Sequence, residues 1–75
     1  MKKHFGSEST NLILTDKAQR YYDGATPFDI YETETDGEYA YTIKAFGDPE
    51  SAPMTSAELI QTLEAMADEE ARLFE

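Results

Sequence analysis

The side chains with the most chemical potential lie between Ile30 and Ile43, in IYETETDGEYAYTI, where Glu32, Glu34, Asp36 and Glu38 occupy alternate positions around Gly37. Acids spaced this way could ligate calcium, since E-T-E-T-D-G matches the first, third and fifth ligand positions of a calcium loop and its glycine. That loop closes with a bidentate glutamate at its twelfth position, and counting from Glu32 the twelfth residue is Ile43. The ligand that completes the shell is missing, so no metal is expected. Carboxylates doing acid-base work must instead converge in a pocket that shifts their pKa values. These alternate along a ribbon, His4 stands near a lysine at the N-terminus, and no GxSxG, P-loop or GxGxxG occurs. The expectation is a protein with no catalytic residues and no cofactor.

Binding remains. Tyr39 and Tyr41 flank Glu32 and Glu34 on one face of the same ribbon, an acidic-aromatic patch that suits arginine. A guanidinium can take two carboxylate hydrogen bonds while it stacks on a tyrosine ring.

The element that must hold these groups is a β-hairpin from Phe28 to Phe46. Asp36-Gly37 is the dipeptide that a two-residue type I′ turn prefers, because both central residues need positive φ. Pairing across it sets Glu34 against Tyr39, Glu32 against Tyr41, Ile30 against Ile43 and Phe28 against Ala45. Asp29 then meets Lys44, and Tyr31 meets Thr42, on the other face. A three-residue loop would set Asp29 against Ile43, which disfavours that register.

The remaining elements follow from local signals. Asn11–Thr15, NLILT, reads as a first strand, and residues 1–9 before it as a flexible tail. Thr15 or Asp16 can cap a short helix through Tyr22 with Gly24 as its stop, placing Ala18, Tyr21 and Tyr22 near one face; the alternative is a turn and loop. Gly47 to Met54, with two prolines, reads as a loop. Thr55 opens a capping box with Glu58 and predicts a helix from Ser56 to about Phe74. Its broad apolar face holds Leu59, Ile60, Leu63, Met66, Ala67, Ala71, Leu73 and Phe74; Glu58, Glu64, Asp68, Glu69 and Glu75 face away. Glu70 falls on the apolar side. The expected fold is α+β: one domain with a small antiparallel sheet, strand plus hairpin, packed by the C-terminal helix. Its core would draw on Leu12, Leu14, Phe28, Ile30, Ile43 and Ala45, leaving Tyr31, Phe46 and Tyr22 as exposed aromatics on the sheet's other side.

Composition bounds the partners. The chain has 75 residues, no cysteine and a net charge of −10. A core this small supplies only a few kcal/mol, so good packing, a partner or a homodimer must add to it. Residues 1–22 carry four basic side chains against two acidic ones, whereas residues 23–75 carry fourteen acids against Lys44 and Arg72. Such a surface is repelled by nucleic acid and anionic membranes and attracted to basic proteins. No run approaches the ~18 apolar residues of a membrane span, and no apolar region follows the N-terminal lysines, so a cytoplasmic location is expected.

Acids on alternate strand residues or successive helix turns stand about 5 to 7 Å apart, comparable to phosphates along one nucleic-acid strand. The expected partner is therefore a basic, nucleic-acid-binding surface of another protein, met by Glu32, Glu34, Asp36, Glu38, Tyr39, Tyr41, Glu64, Asp68 and Glu69. In size, charge and lack of catalytic residues the chain resembles small phage-encoded inhibitors of bacterial defence, the anti-CRISPR and antirestriction proteins, several of which mimic DNA. That resemblance covers the whole chain in character and carries no motif. It implies a CRISPR effector or other nucleic-acid-binding complex as target, in the host cytoplasm. The alternatives are an antitoxin-like or obligate subunit of a larger complex, and a generic acidic domain whose charge serves solubility.

Overall fold

The computed structural model describes residues 1–25 and 28–73. In chain order the elements are β1 (Lys2–His4), α1 (Asp16–Ala25), β2 (Phe28–Thr35), β3 (Glu38–Ala45) and α2 (Ser56–Leu73). The strands form one antiparallel sheet in the order β1-β2-β3, with α1 packed on α2 and α2 on β3. This is the small α+β fold expected, with a different first strand.

The hairpin has the expected register throughout, from Phe28 opposite Ala45 to Thr35 opposite Glu38. Asp36 has φ 53° and Gly37 φ 82°, the pair of positive values that a type I′ turn demands. Burial alternates along β2, with Phe28, Ile30 and Glu32 buried and Asp29 exposed between the first two.

Asn11–Thr15 is not a strand. It crosses the sheet's core face without joining the ladder, and its apolar content serves to bury Leu12 and half-bury Leu14. Residues 1–9, expected as a tail, supply β1 instead, with Lys2 opposite Thr33 and His4 opposite Tyr31. Side-chain contacts, most of them long-range, hold this short strand. His4 Nε2 lies 2.8 Å from Asp29 Oδ1 and its Nδ1 2.8 Å from Ser7 Oγ. Lys2 Nζ donates to Glu50 at 2.5 Å and sits 4.5 Å from the centre of the Tyr31 ring. His4 is therefore a half-buried linker rather than a loose terminal residue.

Thr15 caps α1: its hydroxyl accepts the Ala18 N–H at 3.3 Å, and Asp16 places an acid in the first turn where the helix dipole favours it. The helix runs past Tyr22 and through Gly24, which lacks the positive φ of a stop residue. At α2 the capping box forms as expected. The Thr55 N–H donates to Glu58 Oε1 and the Glu58 N–H to Thr55 Oγ1, each at 3.1 Å.

The core comprises Leu12, Ala18, Phe28, Ile30, Tyr41, Leu59 and Leu63. Burying a side chain such as Ile30, Leu59 or Leu63 completely contributes about 1.5–3 kcal/mol. Leu14, Ile43, Ala45, Ile60 and Met66 are only partly buried around it. The expected apolar stripe of α2 is thus buried in its first half, while Ala71 and Leu73 are exposed; Phe74 and Glu75 lie outside the described residues.

On the sheet's other side the expected aromatic patch does not assemble. Tyr31 is half-covered by Lys2 and His4, and Tyr22 turns to the core, 5.2 Å from the Phe5 ring and 5.8 Å from the Phe28 ring. Phe46 is exposed. The loop after it returns along the outer edge of β3, where Tyr41 and Met54 exchange backbone hydrogen bonds of 2.8 and 2.9 Å and the Ser51 N–H donates to the Ile43 carbonyl. Among the described residues no helix is long and apolar enough to cross a membrane.

Candidate protein-contact site at the hairpin tip

The acids of the ribbon separate by depth. Glu32 is 2% exposed and Tyr41 3%, which removes both from the expected contact surface. The Asn11–Thr15 segment lies over this end of the sheet and brings the Asn11 N–H to Glu32 Oε2 at 2.8 Å; the Tyr41 hydroxyl donates to the same oxygen at 2.8 Å. Burial, and then donation to Glu32, push the Tyr41 pKa above the ordinary tyrosine value. The pair is a satisfied buried polar contact. One signal for it was present in the sequence: Glu32 shares its alternate face with Phe28 and Ile30.

Beyond this pair the ribbon emerges into solvent. Glu34, Asp36, Glu38 and Tyr39 are exposed, Tyr39 by 42%. The Glu34 carboxylate, directly opposite Tyr39 across the hairpin, raises the phenol's pKa, while the Asn11 side chain acts in the opposite sense. The ring stands exposed beside Glu34, its cross-strand neighbour. The ion pairs among the described residues are Lys2–Glu50, His4–Asp29 and Lys17–Asp68, so the tip carboxylates meet no basic side chain.

The acids of α2 do not join this patch. Glu64 is half-buried and accepts the Thr15 hydroxyl at 2.7 Å, and Asp68 pairs with Lys17, so both serve the contact between α1 and α2. Glu69 is exposed, but at ~1.5 Å per residue it lies about 16 Å along the helix from Glu58. Glu70 lies near enough to Tyr21 to raise its pKa, after the larger effect of burial.

Two residues outside the expected set belong to the tip. Glu58, at the start of α2, lines a concavity of about 380 Å³ together with Asp36, Glu38 and Tyr39. Ile13, 85% exposed, lines a second concavity of about 440 Å³ with Tyr39, Tyr41 and Ile60. The NLILT run contained the signal for Ile13: with Leu12 and Leu14 turned to the core, the residue between them must face out.

Chemically, the tip offers exposed carboxylates and an aromatic ring. Among the described residues no three acidic or histidine side chains cluster as a metal ion would require. The chain matches no protein-family model, no curated protein and no solved structure.

Proposed function

We propose that this protein is a non-catalytic acidic interaction protein whose hairpin tip docks on a basic, nucleic-acid-binding surface of a partner protein, in the manner of a phage anti-CRISPR-like inhibitor acting in the host cytoplasm. The observation that carries this reading is the grouping of Glu34, Asp36 and Glu38, without basic partners, beside the exposed ring of Tyr39 on a tight two-residue turn.

Carboxylates on a rigid turn are already arranged when the partner arrives, so little ordering entropy opposes docking. They attract arginines that otherwise hold phosphates, which makes encounter fast and salt-sensitive. An overall charge of −10 extends that attraction beyond the contact itself.

The test is a pull-down from bacterial lysate with the wild-type chain and with E34Q/D36N/E38Q, in the presence and absence of duplex DNA and moderate salt. The expected result is a nucleic-acid-binding partner retained by the wild type, displaced by DNA or salt, and lost with the variant. A complex indifferent to DNA, salt and all three substitutions would sink this reading in favour of an obligate subunit.

A further inference from the structure

Tyr39 and Thr55 line both concavities at the tip, so they form the divide between two unlike halves of one groove. The first half carries the carboxylates of Asp36, Glu38 and Glu58 beside Ala40 and Met54. The second contains no charged side chain and presents Ile13 and Ile60 beside Asn11 and Ser56. We propose that this groove takes two neighbouring side chains of a partner polypeptide, an arginine on the acidic side of the Tyr39 ring and an aliphatic residue on the other.

Charge complementarity selects the first occupant. The acidic half repels phosphate and attracts a cation, and an aromatic ring beside carboxylates favours a planar guanidinium over an ammonium because only the former both stacks and bonds in a fork. Glu58 spends one oxygen on its own cap, which leaves Asp36 and Glu38 as the principal acceptors.

The second occupant follows from exposed apolar surface. Ile13 is 85% exposed beside a neutral hollow, and an aliphatic side chain seated there would remove that surface from water. Pairing of Tyr39 with Glu34 beside the two-residue turn holds the dividing residue's backbone in place before binding.

This inference rests on the hairpin tip being a protein-contact site, and it adds an apolar requirement that a pure nucleic-acid mimic would not have. It is tested by titrating isotope-labelled protein with the capped peptides Gly-Arg-Leu-Gly and Gly-Arg-Gly-Leu-Gly, against versions with citrulline for arginine or glycine for leucine. Amide shifts are followed to roughly 10 mM peptide, enough to detect a millimolar Kd.

The expected result is saturable shifts at Ile13, Tyr39 and Thr55 with at least one arginine-leucine peptide. Citrulline or glycine should each weaken binding by about fivefold or more, and Y39A and I13S, both at exposed positions, should weaken it while the spectrum stays folded. No saturable shift, or shifts elsewhere on the molecule, would overturn the proposal. Dependence on arginine without dependence on leucine would overturn it and leave the acidic-contact reading standing. Indifference to citrulline would defeat both. Peptide-independent shifts that grow with protein concentration would assign the groove to a second copy of the chain and overturn the proposal.

Discussion

The Tyr41 hydroxyl donates a 2.8 Å hydrogen bond to Oε2 of Glu32, the residue directly opposite it in the hairpin, and the same oxygen takes the Asn11 N–H. One carboxylate thereby fastens the second strand of the sheet to the third and to the segment that crosses over them. It marks the point where the ribbon passes from core to solvent-exposed tip.

Tyr41→Phe removes one donor from a buried carboxylate and should lower stability by about 1–3 kcal/mol, read from denaturant unfolding. The variant also changes the alkaline limb. A tyrosine whose folded pKa is raised contributes stability that is complete below the ordinary value of 10.0 and is lost as pH climbs from there toward the folded value. Wild-type stability should therefore fall above that pH, and the Phe variant should fall less steeply. The remaining slope belongs to Tyr21, Tyr22 and Tyr39, whose pKa values are also raised. Equal slopes for wild type and variant would refute this role for Tyr41.

Gly37→Ala isolates the backbone cost of the turn. Gly37 has φ +82° and an added Cβ would meet nothing within 4 Å, so no steric clash contributes. The expected loss is about 1 kcal/mol, with the hairpin register unchanged in cross-strand nuclear Overhauser contacts. A substitution without measurable cost would contradict the type I′ geometry.

Glu50 governs the acid response of the first strand. The hydrogen bond from Lys2, then that from Thr42, lowers its pKa below the usual 4.5. A carboxylate with a depressed folded pKa contributes stability present above the ordinary value and lost as pH falls through the folded one. Contacts between Lys2 and Thr33 should therefore weaken at acid pH, and Glu50→Gln should weaken them at neutral pH and flatten their dependence below it. Cross-strand contacts that stay constant through the acid range in the wild type would contradict this linkage.

Features encoded within a few residues were legible in the sequence. Asp36-Gly37 specified the turn and with it every pair between the second and third strands, and Thr55 with Glu58 specified the start of the second helix, because each signal acts through its own backbone. The first strand was not legible. Lys2–His4 is three polar residues long, and what holds it, Asp29, Tyr31 and Glu50, is distant in the chain. NLILT misled for a related reason: Leu12 and Leu14 are apolar to cover the core, and nothing in their alternation says whether a neighbouring strand accepts their hydrogen bonds. At the hairpin tip, Glu34, Asp36, Glu38 and Tyr39, expected as partner-binding residues, are exposed. Glu32 and Tyr41 were not separable from them, since their burial depends on a segment distant in the chain that lays Asn11 against Glu32.

That the first strand pairs with the second and leans on Glu50 also sets an order of events during synthesis. Lys2–His4 precedes in the chain both residues 31–33, which receive it, and Glu50, which answers Lys2. The hairpin, joined by two residues, can zip within microseconds of its release. Lys2–His4 is then expected to join a hairpin already formed, so a strand that precedes the hairpin in the chain is fixed after it.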